Sequence, residues 1–372
     1  MKIKLRQAFD LQMGKTPARN RPDYWNGDHK WISIADIGNA GKFLTKTKES
    51  ITEAGIDGSG IKVVPQGTVI MSFKLSIGKT AITSEDMYTN EAIMAFIDNG
   101  KFAIDTDYLY HLCCGTNWTA GTNKAVMGLT LNKATLLEKE IPLPDINEQH
   151  EIATKLDKID AIIAERQQQL ELIDQAVKSR FIELFGMPGT DAFGWGLVPL
   201  GSTCNINPKK SLDSRLVSGA MVSFVPMPAV TEHGEIDATA IKEYDEVKTG
   251  FTYFAENDVL FAKITPCMEN GKGAVAKGLH NGIGFGSTEF HVLRPISGKT
   301  DPYWIYTLTA FSQFRMDAAS NMTGSAGQRR VPASFLENYR VSLPPIALQE
   351  QFAAFVEQTD KSKLCGKMEV AA

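Results

Sequence analysis

The sequence predicts an α+β protein with two copies of one sheet-centred domain, joined by long helices that pair as an antiparallel coiled coil. The first observation is a repeat, since "IPLPDINEQHEIATKLDKID" (141–160) returns as "VSLPPIALQEQFAAFVEQTD" (341–360). The second is that the strand-like segments are short, rich in β-branched residues and bounded by Gly, Asn and Pro. The third is that residues 148–185 contain neither Gly nor Pro, which predicts one long helix. The two repeat segments share Leu143/Leu343, Pro144/Pro344, Ile146/Ile346, Gln149/Gln349 and Asp160/Asp360.

Strand and turn patterns recur in the same order in both halves of the chain. "IKLRQAFDL" near the start parallels "LVPLGSTCNI" after Trp195. "VVPQGTVIMSFK" parallels "YFAENDVLFAK", each being a turn before an apolar strand that ends at a Lys, and "TNEAIMAF" parallels "GSTEFHVL". The loops differ in length while the elements keep their order, as expected of a duplicated domain. We therefore expect one domain at residues 1–146 and a second at residues 187–346.

A central helix is predicted at residues 147–186, with Gly186 and Pro188 as its stop. Its apolar residues alternate between spacings of four and three, which is typical of a coiled-coil seam. The 38 residues from 148 to 185 would extend ~57 Å, longer than a domain of this size is wide. A single helix packed on its own domain is the open alternative. The seam consists of Ile152, Leu156, Ile159, Ile163, Leu170, Ile173, Val177 and Leu184.

A second, shorter helix is predicted at residues 347–366, followed by a tail at 367–372. It has about 19 residues between Leu348 and Gly366, against 38 in the central helix. If the two helices pair antiparallel, the second starts beside Phe185 and leaves part of the central seam without an intramolecular partner. We expect another protein chain to bury these residues, which are Ile152, Leu156, Ile159 and Ile163.

Composition predicts a cytoplasmic globular protein. The 372 residues are 43% hydrophobic, yet no apolar run approaches the ~20 residues that cross a bilayer, and no apolar signal core opens the chain. The five Cys show no metal-ligand spacing, so neither a metal site nor a disulfide framework is predicted. Net charge is -4, but residues 1–84 hold 13 Lys+Arg against 7 Asp+Glu, a net of +6. Residues 147–186 hold 5 against 8, a net of -3, so only the first region predicts a phosphate-facing surface.

Motifs for catalysis and cofactor binding are incomplete in the sequence. Gly78-Lys79-Thr80 resembles the end of a nucleotide-binding P-loop, but Phe73 stands where that motif requires a Gly. "GIGFG" resembles part of an S-adenosylmethionine loop, yet no acidic residue ends a following strand at the right distance, which favours a hairpin. The Asn-Pro-Pro-aromatic tetrapeptide with which amino-methyltransferases hold a flipped base does not occur. We expect neither a catalytic residue nor a cofactor.

The order domain, "LPDINEQ" helix, domain, "LPPIALQEQ" helix resembles the DNA specificity subunit of type I restriction-modification systems. Loops such as "AGTNKAVMGLT" (120–130) and "GSAGQRRVPAS" (324–334) precede the two helices, as in that family. The resemblance implies two target recognition domains, each reading one half of a bipartite sequence in double-stranded DNA. It also implies that the helices hold these domains apart and dock methyltransferase and restriction subunits. Two half-sites on one side of the duplex lie ~34 to 36 Å apart.

Family members usually carry two helices of similar length, so the second helix of this chain looks shortened at its C terminus. The unpaired part of the central seam then predicts docking of a methyltransferase subunit or self-association with a second copy of this chain.

The predicted DNA contacts are basic and amide side chains in loops, because Arg and Asn suit base edges and Lys suits phosphate. The densest stretch is "GKTPARNRPDYWNGDHKW" (14–31). For each candidate residue, the alternative is a basic loop that is exposed to solvent and does not contact DNA. The first-domain candidates are Lys15, Arg19, Asn20, Arg21, Lys30, Lys74 and Lys79. The second-domain candidates are Lys209, Lys210, Arg215, Lys263, Asn270, Lys272, Gln328, Arg329 and Arg330.

Two other functions stay open on the sequence alone. A DNA methyltransferase or nucleotide hydrolase with degenerate motifs would bind its cofactor as a purified chain. A scaffold protein would keep the helices and the partner docking, but its paired domains would bind protein. Our prediction is a sequence-specific DNA-binding subunit without catalytic activity.

Overall fold

The structure, a computed structural model, describes residues 1–74, 76–119, 131–325 and 327–371. The chain folds as two compact units, Met1–Ala164 and Glu165–Ala372. One long helix begins in the first unit and ends in the second. The predicted α+β class is confirmed, and each unit is built around sheets of short strands.

The first unit contains most of its strands before its first long helices. Its elements up to β5 are β1 (Lys2–Lys4), α1 (Leu5–Ala8), β2 (Phe9–Met13), β3 (Trp25–Ile32), α2 (Ile34–Asn39), β4 (Phe43–Leu44) and β5 (Glu49–Ile51). They continue with α3 (Glu53–Ser59), β6 (Val69–Ser72), β7 (Thr80–Thr83), β8 (Tyr88–Thr89), β9 (Ile93–Asp98), α4 (Thr106–Gly115), α5 (Lys133–Leu137), β10 (Glu140–Pro142) and α6 (Ile146–Phe185).

The described strands of the first unit form three sheets. The main sheet has the order β2-β9-β6-β7-β4, with β4 parallel to β7 and the other neighbours antiparallel. A small sheet has the order β5-β3-β8, in which β3 and β8 are parallel. The pair β1-β10 brings the start of the chain against the segment before α6. Strands β6, β7 and most of β9 are buried on both faces, so they consist of continuous apolar or small residues.

The second unit repeats the main strands and the final helix in the same order, with different elements between them. Its elements up to β16 are β11 (Leu197–Pro199), β12 (Cys204–Ile206), β13 (Met221–Val225), β14 (Ile241–Glu243), α7 (Tyr244–Val247), β15 (Thr252–Ala255) and β16 (Val259–Ala262). They continue with β17 (Gly273–Val275), β18 (Ile283–Gly286), β19 (Phe290–Pro295), α8 (Pro302–Ala310), α9 (Ser312–Ser320), α10 (Ala333–Asn338), β20 (Arg340–Ser342) and α11 (Ile346–Ala371).

Among the described strands, most of those in one unit have a counterpart in the other, although β4 of the first main sheet has none and the smaller sheets have three and four strands. The main sheet of the second unit is β12-β19-β16-β17, which matches β2-β9-β6-β7. Its smaller sheet has the order β14-β13-β18-β15, and β13 and β18 are parallel. This pair corresponds to the parallel pair β3 and β8 of the first unit. The pair β11-β20 matches β1-β10. This correspondence supports the sequence-based expectation of a duplicated domain.

The repeated glutamine forms the same joint at the start of both long helices. Gln149 is fully buried; its Nε2 donates to the carbonyls of Ala103 (3.1 Å) and Pro144 (3.0 Å), and its Oε1 accepts the N–H of Asp105 (3.0 Å). These bonds tie the first turn of α6 to the residue that caps α4.

Gln349 makes the equivalent three bonds in the second unit. It donates to the carbonyls of Lys299 (3.1 Å) and Pro344 (2.8 Å) and accepts from Asp301 (2.9 Å), which caps α8. The duplication of this residue therefore has a structural cause, since each copy satisfies three backbone groups at a buried helix start.

The two long helices differ in part from their predicted bounds. Helix α6 begins and ends within one residue of the prediction. Helix α11 starts beside the end of α6, as expected, because Phe352 forms edge contacts with the rings of Phe181 and Phe185, both at 5.5 Å between centroids. Gly366 does not end α11, which continues to Ala371. A glycine inside a helix costs only ~1 kcal/mol, so it is a weak stop.

An ionic cluster holds the first half of α6 to the first unit. Lys42 Nζ lies 2.6 Å from Asp157 on α6 and 2.8 Å from Asp107 on α4, and His111 Nε2 lies 2.7 Å from Asp157. Beyond this cluster the apolar seam of α6 becomes solvent-accessible. Ile159 is 50% exposed and Ile163 is 38% exposed, whereas Ile152 and Leu156 are half-buried.

Candidate nucleic-acid interface

The same pair of charged residues stands at the same end of the main sheet in both units. In the first unit the register of the antiparallel strands β6 and β9, continued past the strand ends, places Lys74 opposite Glu91. In the second unit the register of β16 and β19 places Lys263 opposite Glu289. There the backbone N–H of Lys263 donates to the carbonyl of Glu289 at 2.9 Å.

Arg330 completes this site in the second unit. Its Nε and Nη2 donate to the two carboxylate oxygens of Glu289 at 2.9 and 2.8 Å, and its Nη1 donates to the carbonyl of Gln328 at 3.1 Å. The bonds from Arg330 hold the pKa of Glu289 below its usual value, although partial burial acts in the opposite direction. Burial lowers the pKa of the neighbouring Lys263 amine. The result is a guanidinium fork fixed in position at the sheet end.

In the first unit the corresponding carboxylate is held by another group. Thr16 donates its hydroxyl to Glu91, which lowers the pKa of Glu91, and the nearby charges of Lys74 and Arg19 act in the same direction. The loop that precedes β3 thus contacts the sheet end from which Lys74 emerges. The arginine of this loop, Arg19, lies close enough to influence Glu91 but pairs with a different acid.

Arg19 is fixed by aromatic stacking and by a carboxylate. Its guanidinium carbon lies 3.9 Å from the ring centre of Trp25 and 5.0 Å from that of Trp31. Both terminal nitrogens donate to Glu49, one of them at 3.1 Å. Its side chain is still 53% exposed, so the preorganised fork faces solvent. This combination of rigidity and exposure suits a recognition residue.

Arg21 and Lys30 are also engaged with acids. Arg21 donates from Nε and Nη2 to Asp23 at 2.9 and 2.7 Å and stacks on Tyr24, whose ring centre is 4.5 Å away. Lys30 donates to the carboxylate of Glu85. Both pairs are largely exposed, so water screens them strongly.

Lys15 helps to hold the start of the basic loop beside the small sheet of the first unit. Its Nζ donates to the carbonyl of Ser59 at 3.1 Å. The preceding Gly14 passes so close to β8 that a Cβ there would lie 2.0 Å from the carbonyl oxygen of Thr89, which only glycine allows. The start of the basic loop is therefore held against the small sheet.

Three further first-unit candidates have looser surroundings. Asn20 is exposed within the basic loop. Lys74 Nζ lies 5.3 Å from the ring centre of Phe73, and the exposed Lys79 reaches over Gly38, whose Cβ would lie 2.5 Å from Nζ.

A buried arginine braces the loop between β16 and β17. Arg315 on α9 is 6% exposed and donates to the carbonyls of Met268 (3.0 Å) and Gly271 (3.3 Å). Burial lowers the pKa of Arg315 to about 10. On the outer side of this loop, Arg329 donates to Glu269 at 3.3 Å. The same loop carries Asn270 and Lys272.

The remaining second-unit candidates contact the smaller sheet. Arg215 donates from Nε and Nη2 to Asp213 at 2.9 and 2.6 Å and from Nη1 to the carbonyl of Asn281 at 3.0 Å. Lys210 donates to the backbone carbonyl that follows α7, and Lys209 beside it is exposed.

The structure thus gathers some predicted residues and separates others. Lys263, Arg329 and Arg330 surround the sheet end of the second unit, with the loop of residues 264–272 beside them. Arg215 and Lys210 lie instead in the segment between β12 and β13. In the first unit the loop of Arg19 reaches the equivalent sheet end through Thr16. The predicted loop at 120–130 lies outside the described residues.

Sequence reasoning missed the acids that hold these cations. Glu91 and Glu289 occupy the same place in the repeated "TNEA" and "STEF" segments, so a search of the repeat for shared charges would have found them. Glu49 has no such signal. The cations are 30 and 41 positions from their acids in the pairs Arg19–Glu49 and Arg330–Glu289.

Guanidinium forks of this kind bind carboxylate, phosphate and the guanine edge alike. Among the residues that the structure describes, no group of three or more His, Cys, Asp or Glu is arranged to hold a metal ion. Within the same residues, no helix has the length and apolar character to cross a membrane.

Comparison with known proteins gives a family match in both halves. The model of the type I restriction modification DNA specificity domain matches residues 1–173 and 194–366. The EcoEI specificity subunit of Escherichia coli is 43% identical over 153 residues, covering 41% of this chain and 25% of that protein. The EcoAI specificity subunit of Escherichia coli is 40% identical over 177 residues, covering 47% of this chain and 29% of that protein. This chain therefore spans between a quarter and a third of the length of these curated relatives.

Two solved structures resemble the whole chain. One comes from work on complex assembly and conformational transition of the type I R-M system. Its TM-score is 0.56 at 19% sequence identity, and the match covers 100% of this chain and 92% of the chain in that structure. The other is the S subunit of a type I restriction-modification system from M. genitalium, with a TM-score of 0.51 at 15% identity and the same coverage. At these identities the likeness establishes the fold.

Proposed function

The chain belongs to the family of type I restriction modification DNA specificity domains, and from this premise we propose that it reads a bipartite sequence in double-stranded DNA. Each unit reads one half-site. The domains we assign to this reading are residues 1–146 and 187–346, with α6 and α11 as the spacer between them.

One observation carries this proposal. Both units place a lysine and a glutamate opposite each other at the same end of the main sheet, Lys74 with Glu91 and Lys263 with Glu289. In each unit a different loop reaches this point, through Thr16 in the first and Arg330 in the second. The same sheet carries different loops in the two units. This arrangement is expected of two recognition domains that bind two different half-sites.

The chemistry of the loops supports base reading at these points. Arg19 and Arg330 present planar forks that fit the O6 and N7 acceptors of guanine, and their side chains are 53% and 42% exposed. Lysine amines nearby suit phosphate oxygens, which position the protein without selecting a sequence. The remaining basic and amide candidates would extend this surface.

We propose that the exposed part of α6 docks another protein chain. Ile159 and Ile163 are large aliphatic side chains on a helix whose charge is otherwise acidic, which disfavours DNA there. A methyltransferase subunit is the partner that the family suggests, and a restriction subunit would join the same complex. Self-association through this surface is the alternative occupant.

We further propose that the chain is not itself a catalyst and acts in the cytoplasm beside its DNA. The companion methyltransferase then supplies S-adenosylmethionine and the pocket for the flipped base. Micromolar binding of S-adenosylmethionine by the isolated chain would contradict this division of labour.

A randomised-duplex selection tests the proposed function. The full chain, purified with its companion methyltransferase, should enrich two short motifs separated by a fixed number of unspecified bases. A chain that enriches no motif, yet still assembles with the partner, would instead be a protein scaffold.

A further inference from the structure

Four of the predicted DNA-contacting arginines already have both arms of the fork occupied by an acid. Within the described residues these forks join Arg19 to Glu49, Arg21 to Asp23, Arg215 to Asp213 and Arg330 to Glu289. One bidentate edge of each guanidinium, either Nε with Nη2 or Nη1 with Nη2, is bound to a carboxylate. A base that is read through that edge requires an exchange of partners.

We propose that Glu289 in the second unit and Glu49 in the first determine specificity by competing with DNA for Arg330 and Arg19. This inference rests on the proposed function. Each acid is a bound competitor that a matching base displaces and that a mismatched base or a phosphate displaces poorly.

The exposure of these pairs makes the exchange feasible. The side chain of Glu289 is 25% exposed and that of Arg330 is 42% exposed; the values for Glu49 and Arg19 are 36% and 53%. Ion pairs that water reaches are weak, so an incoming ligand with equivalent acceptors can replace the acid. Guanine offers two acceptors on a neutral edge and restores both hydrogen bonds of the fork.

The charge of the acid accounts for the discrimination. After displacement the carboxylate stays beside the arginine, where its negative charge repels phosphates but not a neutral base edge. In the second unit Lys263 lies opposite Glu289 in the register of β16 and β19. Its positive charge can stabilise the carboxylate after Arg330 has left it. Non-specific binding, which depends on phosphate contacts, is therefore weakened more than binding to the matching sequence.

The variants Glu289→Gln and Glu49→Gln test the proposal, because each keeps the shape of the side chain and removes only its charge. Unselected duplex should bind about three- to tenfold more tightly at low salt, and the salt dependence should steepen by about one phosphate contact. Preference among bases should relax in one half-site only, and the two variants should affect different half-sites.

A matched control is Glu183→Gln on α6, which removes the same charge from another arginine pair, Arg180–Glu183, at 2.7 Å. The probe is a randomised duplex library, applied to the full chain with its methyltransferase at several salt concentrations. Far-UV circular dichroism of each variant checks folding, and the two variants in different units provide independent tests.

The outcomes separate this inference from the proposed function. If the unaltered chain enriches no motif, the proposed function fails. If it enriches a motif and Glu289→Gln and Glu49→Gln leave the preferences and the non-specific affinity unchanged, the competition is refuted. A gain in non-specific affinity as large for Glu183→Gln as for the other two would also refute it, because net charge alone would then explain the effect.

Discussion

At the scale of single residues, Asp213 shows how a carboxylate can fix a cation that the sequence assigns to DNA. It accepts two hydrogen bonds from Arg215 and one from the hydroxyl of Tyr253, at 2.7 Å. The bonds from Arg215 and Tyr253 hold the pKa of Asp213 well below its usual value, against a smaller effect of burial. Arg215 therefore stabilises the loop beside the smaller sheet, and all three of its nitrogens already donate within the protein.

A pH dependence follows for Asp213. Because its folded pKa is depressed, its stabilising effect is complete above the unfolded pKa of ~3.9 and is lost as pH falls through the folded value. We expect Asp213→Asn to lower the free energy of local unfolding by about 1–3 kcal/mol at neutral pH. The difference from the unaltered chain should shrink below about pH 4. Hydrogen exchange of residues 213–255 measures it, and a pH-independent difference would contradict the assignment.

The base-reading arginines yield a second residue-scale prediction. Arg330→Ala should weaken binding to its own half-site by about 1–3 kcal/mol and leave preferences at the other half-site intact. Arg19→Ala should do the same for the first unit. Titration of duplexes altered in one half-site at a time is the measurement. A uniform loss on all duplexes would show that the arginine contacts phosphate.

At the scale of elements, the clearest repeated feature is the buried glutamine at the start of each long helix, which hydrogen-bonds to the backbone of preceding loops. Gln149 and Gln349 each satisfy three backbone groups at a position with no solvent access. The sequence could predict that these glutamines matter, because they recur at a constant offset. Their partners were not predictable, since Ala103 and Lys299 lie in loops about 50 residues away.

Replacing either glutamine by leucine should destabilise its own unit. Gln349→Leu removes the hydrogen-bond partner of two carbonyls and one N–H, of which only the Pro344 carbonyl is fully buried, and this should cost about 1–3 kcal/mol. Gln149→Leu should have the same effect on the first unit. Exposed Gln351 is the control, since Gln351→Leu removes none of these bonds. Hydrogen exchange resolves the two units, and an equal effect of Gln351→Leu would refute the role of the joint.

Helix α6 supports a prediction about assembly. Ile159 and Ile163 are exposed, so changing both to Asp should alter the stability of the chain by less than about 0.5 kcal/mol. The same double variant should abolish association with the methyltransferase, because burying two carboxylates at an apolar interface is unfavourable. Co-elution of the two proteins in size-exclusion chromatography measures the association.

The matched control for this prediction uses exposed apolar residues in the second half of α6. Leu172 and Ile182 are 54% and 39% exposed, and changing both to Asp should leave the association intact. A complex that forms normally with the Ile159/Ile163 variant would show that the partner binds elsewhere.

At the scale of the whole molecule, the duplication was predictable and the pairing of charges was not. Segments such as "VVPQGTVIMSFK" and "YFAENDVLFAK" contain β6 and β16, and each strand lies between the same two neighbours in its sheet. The pattern also located α6 to within one residue. The repeat marks Glu91 and Glu289 as shared acids, but it does not show which cations they bind, because ion pairs such as Arg330–Glu289 join residues whose sequence separation leaves no periodic signal. The sequence therefore predicted the strands and helices around the candidate site better than the ion pairs within it.

The central claim is that this chain selects the DNA sequence on which a companion enzyme acts. Sequencing of methylated bases across the genome, in its native cells with and without the chain, tests that claim most directly. We predict that methylation disappears from one bipartite motif when the chain is removed, and that Arg330→Ala changes only the half of the motif read by the second unit. An unchanged methylation pattern in cells that lack the chain would contradict the claim.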